Sequence, residues 1–312
     1  MGPQMRWRAS RVTNKNSVGI FSASPALTSR HYFQGGAFMR ASPAKDSREE
    51  DMDDILITEK RGHVTVLTLN RPEAMNSLDY ELYDALENAV RTSDARAIVI
   101  TGSGTRAFCA GDDVKKILSK GAPVTPERAA KAKDTGGLTP AADALLHTDI
   151  PVIAAINGFA LGWGAELAIM ADMRVMSDTA KIGEIFVTRG LCCDAPGLGR
   201  LAQLVGREKA SELLFTGDVI DAAEAKAIGL VGRVVAPGDL MPTALALAEK
   251  IAANPPQAVK SLKAGLRRTL DPDWRDTGKW AITEIRRLMQ TADAKESAAA
   301  FIEKRTPVFT GN

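Results

Sequence analysis

The stretch PVIAAINGFALGWGAELAIM, residues 151–170, decides how this chain is read. Val152 to Ile156 is a short apolar run bounded by Pro151 and by Asn157-Gly158, the pattern of a buried strand that ends in a turn. An apolar helix then begins near Trp163. The stretch is no membrane span, because Pro151, Asn157, three glycines and Glu166 would place a turn and a charge in hydrocarbon. The first amides of such a helix lack internal partners and lie at the positive end of its dipole. They suit an anion or a developing oxyanion. Glu166 is the only charge in the stretch, and it sits three residues into the helix, on the same face as the Trp163 amide. Its plain reading is a first-turn capping carboxylate. Its chemical reading is a proton-transfer group whose pKa is raised by burial among Ala, Leu and Ile.

Outward from this stretch, strands and helices alternate. Val64 to Leu69, Ile98 to Thr101, Met173 to Met176 and Gly232 to Ala236 read as strands. Tyr80 to Val90 carries Leu82, Leu86 and Val90 at helical spacing, and a long helical stretch runs around Ala129 to Leu146. The C-terminal third is helical over Leu240 to Ala253, Ala258 to Leu270 and Trp274 to Thr291. This is an α/β fold with a helical C-terminal region. A second turn, Gly102-Ser103-Gly104-Thr105-Arg106-Ala107, loosely matches a dinucleotide fingerprint. No helix opens there until near Val114, and Pro123 and Pro126 stand where a second strand should end. A nucleotide-dependent oxidoreductase is therefore the weakest reading.

The 312 residues carry a formal charge of +2, with 45% hydrophobic and 25% charged residues, an ordinary globular composition. The charge is unevenly spread. The first 45 residues hold seven Lys/Arg and no acid, leaving 33 basic against 38 acidic residues in the remainder. An acid-free, Arg- and Ser-rich start is the composition of a mitochondrial or plastid transit segment; an unstructured tail, or a true start at Met52, are the alternatives. The mildly acidic body argues against a nucleic-acid binder. Cys109, Cys192, Cys193 and three histidines supply neither a disulfide framework nor a metal-ligand spacing.

Asn70-Arg71-Pro72, Asn76-Ser77-Leu78, Phe108-Cys109-Ala110-Gly111-Asp112-Asp113, the segment 157–168 and FIEKRTPVFTG at 301–311 together resemble the enoyl-CoA hydratase/isomerase, or crotonase, superfamily. The resemblance runs in consistent order from about Ile55 to the C-terminus. It implies a leader over 1–50, a ββα superhelix over 51–250 and a helical trimerisation region over 251–312, assembling as a homotrimer or a dimer of trimers. It implies an acyl-CoA thioester substrate, coenzyme A being part of the substrate and no separate cofactor or metal being needed. The implied chemistry stabilises a thioester enolate with two backbone amides, those of Ala110 and Trp163. Ala110, Gly111, Asp112, Asp113, Val114 and Lys115 would line the CoA end of the cleft, with Lys115 or Lys116 near a phosphate, and the Trp163 indole would narrow the acyl pocket. Asp112 is unusual there, since its carboxylate opposes an oxyanion unless it points away. Glu166 matches the first hydratase carboxylate. Phe186 stands at the place of the second, and Glu184 lies two residues off it. Asp194 matches the acid of the double-bond isomerases; its plain reading is an N-cap before Pro196. Hydration of a 2-enoyl-CoA and movement of its double bond both remain open, as does a CoA-binding scaffold without chemistry. The leader's composition places the protein in the mitochondrial matrix if it is a transit peptide and in the cytoplasm otherwise.

Overall fold

The computed structural model describes residues 55–118 and 125–311, so the leader and the proposed start at Met52 lie outside the described residues. Six strands form one sheet: β1 (Leu56–Arg61), β2 (Val64–Leu69), β3 (Ala97–Gly102), β5 (Val152–Ile156), β7 (Met173–Ser177) and β10 (Arg233–Val235), side by side in that order. All neighbours are parallel except β1 and β2. A second sheet contains β4 (Ala107–Cys109), β6 (Phe159–Leu161), β8 (Lys181–Gly183) and β9 (Ile220–Asp221). The chain therefore lays one strand in the first sheet and the next in the second, then returns through helices. Repetition of that step produces the expected ββα spiral.

Period-2 alternation divides the apolar residues between two cores. Val64, Val66, Ala97, Val99, Ile153 and Ala155 face the helix Leu240–Ala252. That helix meets them with Leu240, Ala244, Ala248 and Ala252, a row four residues apart whose small side chains let it lie close to the sheet. On the other face, Leu67, Leu69, Ile98, Ile100, Val152 and Ile156 join the larger core. This core is covered by α1 (Tyr80–Arg91), which Asp79 caps by accepting the Leu82 N–H at 3.0 Å, and by α4 (Trp163–Met170), every residue of which is buried. In chain order the remaining helices are α2 (Pro126–Asp134), α3 (Pro140–His147), α5 (Ala195–Val205), α6 (Arg207–Thr216), α7 (Ala222–Ala227), α8 (Leu240–Ala252), α9 (Pro256–Leu270), α10 (Trp274–Leu288) and α11 (Ala292–Glu303).

Two expectations change. The single helix around 129–146 is two, α2 and α3. Gly136 and Gly137 take positive φ (67° and 89°) where α10 presses on them, so a Cβ would meet Arg275 or the Gly278 carbonyl. Thr139 then caps a new start, with Pro140 suited to its first turn. The last helix was expected to run to Thr291. Instead α10 ends at Leu288, and Thr291 caps α11 by accepting the Ala294 N–H. Helix α11 lies against the turn 185–189, where Ser297 Oγ donates to the Thr188 carbonyl at 3.0 Å and the Arg189 guanidinium sits 4.1 Å over the Phe301 ring. Among the described residues no helix is long and apolar enough to cross a membrane.

Candidate active site

Two turns that follow strands of the second sheet meet at one point. The turn after β4 is stitched to residues 75–78: Leu78 N–H donates to the Gly111 carbonyl at 2.9 Å and Asp113 N–H to the Leu78 carbonyl at 2.8 Å. That is a parallel bridge between Leu78 and Asp112, which leaves the Asp112 amide pointing to the opposite side. Gly111 lies there with φ +89°, and a Cβ on it would be 3.3 Å from the Trp163 nitrogen. The turn after β6 supplies that nitrogen. The N–H groups of Ala165 and Glu166 both go to the Gly162 carbonyl, so the Trp163 amide precedes the first internal bond of α4. A Cβ on Gly164 would stand 2.0 Å from the Cys109 carbonyl oxygen, which shows how tightly the helix start is seated on β4.

The amide pair expected at Ala110 and Trp163 is corrected by this geometry. Ala110 N–H is already donated to the Met75 carbonyl at 3.1 Å. Among the described residues the amides of Asp112 and Trp163 are the neighbouring pair with no acceptor. Which amide of this turn is free depends on residues more than thirty positions earlier.

Glu166 is fully buried, and it does not cap its own helix. Its Oε1 accepts the Asp194 N–H at 2.7 Å, and the Gly197 amide favours its charge electrostatically, so it sits at the positive end of α5. Burial, with the charges of Asp194 and Glu184, pushes its pKa well above the carboxylate range; the two amides pull the other way. Asp194 occupies the N-cap position of α5, yet its side chain caps nothing. It is half-buried, and burial together with the Asp112 charge raises its pKa to about 7. The Trp163 indole N–H favours the Asp194 carboxylate electrostatically but stands outside hydrogen-bond geometry, with no other partner. Glu184 also enters the cluster without any shift of strand register. Phe186, where a hydratase acid was expected, is half-buried, and its ring lies 3.7 Å from where a Gly162 Cβ would be.

The side chains named for the CoA end divide. Asp112 turns its carboxylate to Tyr83, whose hydroxyl donates to Oδ1 at 2.6 Å; burial raises the Asp112 pKa. Tyr83 packs edge-on against Trp163, with ring centroids 4.7 Å apart. Sequence reading passed over Tyr83, because a tyrosine on the inner face of a helix looks like core. Asp113 is committed to the scaffold: it pairs with Arg71 at 2.9 Å and accepts the amides of Lys115 and Lys116. Lys116 reaches Asp79 at 2.6 Å and is thereby engaged. Val114 and Lys115 are exposed. Asn76 works as a latch, its Nδ2 donating to the carbonyls of Ser103 and Ala107. No group of three or more His, Cys, Asp or Glu is arranged to hold a metal ion among the described residues.

A pair of unpaired amides beside coupled, buried carboxyl groups can hold an oxyanion and move protons next to it. The chain is similar to known proteins over most of its length. The family model described as enoyl-CoA hydratase/isomerase matches residues 59–312. A putative enoyl-CoA hydratase/isomerase of Bacillus subtilis, YngF, is 39% identical over 263 residues, covering 83% of this chain and 99% of that protein. The short-chain-enoyl-CoA hydratase of Clostridium acetobutylicum is 36% identical over 254 residues, 80% of this chain and 95% of that protein. Among solved structures, an enoyl-CoA hydratase/isomerase from Pseudoalteromonas atlantica superposes with a TM-score of 0.74 at 31% identity, covering 82% of this chain and all of that one. A carnitinyl-CoA hydratase from Mycobacterium avium gives 0.72 at 35% identity, covering 83% of this chain and 99% of that one.

Proposed function

The chain belongs to the enoyl-CoA hydratase/isomerase family, and on that premise we propose that it hydrates a 2-enoyl-CoA, with Glu166 and Asp194 as its acid–base pair. One observation carries this reading: the backbone N–H of Asp194 donates to Glu166 Oε1 at 2.7 Å, which seats the buried Glu166 carboxyl at the residue that carries the second acid. In this scheme those amides receive the thioester oxygen, already oriented before charge develops. A water oxygen bonds the β-carbon while its proton passes to one carboxylate. The electron pair of the double bond moves onto the thioester oxygen. On its return, the α-carbon takes the proton of the other carboxyl group. Val114 and Lys115, exposed at the rim, are the proposed neighbours of the CoA portion, and Tyr83 with Trp163 the proposed wall of the acyl pocket. No cofactor beyond the CoA of the substrate enters the scheme.

The apolar ring of Phe186 favours a second reading, in which the same pair shifts the double bond without adding water. The two separate by product. Hydration of a 2-enoyl-CoA removes the conjugated absorbance and adds the mass of one water; a shift leaves the mass unchanged. If neither product forms from any 2- or 3-enoyl-CoA, both readings fail. The pH dependence follows from the pair. Acid–base work needs one proton on the two groups, and the first leaves as pH rises through about 7, the value for Asp194. Wild-type kcat/KM should therefore rise through that region. Asp194→Asn removes the group that titrates there, so residual activity should lack a limb at about 7. An unmoved limb would remove Asp194 from the pair.

The assembly is part of the same proposal. Leu262, Leu266 and Leu270 form an exposed row on α9, 69%, 60% and 61% exposed, which supports a face covered by another copy of this chain. Sedimentation equilibrium should give three or six copies, and a monomer at micromolar concentration would contradict it.

A further inference from the structure

Glu184 opens the turn after β8 and is 4% exposed, yet neither of its carboxyl oxygens meets a donor. Its place is fixed by backbone. Leu161 is paired with Gly183, the Gly162 N–H donates to the Gly183 carbonyl at 3.0 Å, and the Gly162 carbonyl accepts the Glu166 N–H at 3.0 Å. Glu184 thus follows directly on the residue tied to the start of α4. The wall it shares with Ala165, Ile169, Ile182 and Leu213 encloses a cavity of about 10 Å³, too small for more than about one water. Glu166 is half-unsatisfied: its Oε1 accepts the Asp194 N–H, while Oε2 is buried with no donor. Two ionised carboxylates cannot satisfy one another, since both only accept. A single proton changes this, because a neutral carboxyl is a donor.

We propose that Glu184 is carried as the neutral acid and donates its O–H to Glu166 Oε2, acting as a positioning residue that holds the proton-transferring carboxylate from behind. The inference rests on the acid–base role of Glu166 given above. The Asp194 amide fixes one oxygen of Glu166, and the Glu184 hydroxyl fixes the other, so the carboxylate cannot swing. No bond is made or broken at Glu184, and its proton remains on it through the cycle. The titratable groups that interact with it electrostatically are Glu166 from α4 and Asp194 and Cys193 from the segment leading into α5, and Asp218 lines the same cavity. None is a cation, and the neighbouring charge with burial holds the Glu184 carboxyl well above its ordinary range.

The test uses the full chain with Glu184→Gln and Glu184→Ala. The infrared difference between wild type and Glu184→Gln at neutral pH should show the carbonyl stretch of a protonated carboxylic acid, present in wild type and lost in the variant. Glu184→Ala should lower kcat about 100-fold with little change in KM, as expected for a misoriented base. Glu184→Gln, which keeps a donor, should restore most of that loss and abolish any alkaline limb that arises from Glu184 ionising. Absence of the protonated-acid band overturns the proposal, and so does wild-type kcat in Glu184→Ala. Should Glu184→Ala fail to fold, the band and the pH profile of Glu184→Gln still decide. The band needs no turnover, so a protein that shows it but transforms no enoyl-CoA supports the protonated Glu184 and rejects the activity proposed above.

Discussion

Glu166→Gln should lower kcat on a 2-enoyl-CoA by about 1,000-fold, the upper range for loss of one positioned acid–base group. The amide keeps the volume of the side chain and a carbonyl oxygen for the Asp194 and Gly197 N–H groups, so the end of α5 stays in place. The amides of Asp112 and Trp163 are untouched, and acyl-CoA binding should persist. Stability should shift with a definite sign. Burial raises the Glu166 pKa, so ionising it costs the folded protein stability. The stability it contributes is complete below the ordinary value of 4.5 and declines as pH rises toward the folded-state value. A glutamine has no such decline. The thermal midpoint of the variant should therefore gain on that of wild type as pH increases from about 4.5. Turnover within about tenfold of wild type would exclude Glu166 as the proton-transferring group.

Gly197→Ala should be nearly as damaging to turnover while leaving the fold intact. Gly197 is the third residue of α5, so alanine gains there less than the about 1 kcal/mol it gains over glycine in a helix interior. Here a Cβ would stand 2.8 Å from Glu166 Oε1 and 3.0 Å from both Cβ and Sγ of Cys193. Something has to move, and the carboxylate is the softer neighbour. It would leave the Gly197 amide and lose the orientation set by Asp194. A displacement of about 1 Å costs on the order of 100-fold in kcat. The contacts with Cys193 add some strain, so the unfolding midpoint should fall modestly while kcat falls steeply. Wild-type kcat in this variant would mean that the carboxylate does not depend on the start of α5.

Much of the architecture is legible in the chain. The strand–turn–helix reading of 151–170 agrees with β5, β6 and α4 because five apolar residues, a glycine turn and a polar interruption admit few other conformations. Alternation in β2 and β3 already divides the two cores. What could not be read depends on distant partners. Helix α2 stops because α10, some 140 residues later, presses on Gly136 and Gly137. Glu166 and Asp194 stand out by type and position, and the structure brings them together. The free amide at Asp112, rather than at Ala110, follows from hydrogen bonds to Met75 and Leu78, which nothing in the local sequence announces. Glu184 lies two residues off the hydratase position, and with the register of β6 and β8 regular its charge still bears on Glu166.

The seating of α4 on β4 also has a meaning in time. The paired amides belong to successive turns of the spiral, about 50 residues apart in the chain, and they face each other only once β6 has zipped onto β4 and the Gly164 backbone has closed on the Cys109 carbonyl. Closing so long a loop is slow compared with forming either turn alone. A newly made chain can thus hold its individual strands and helices while still lacking a place for a thioester, and reactivity arrives as one of the last products of folding.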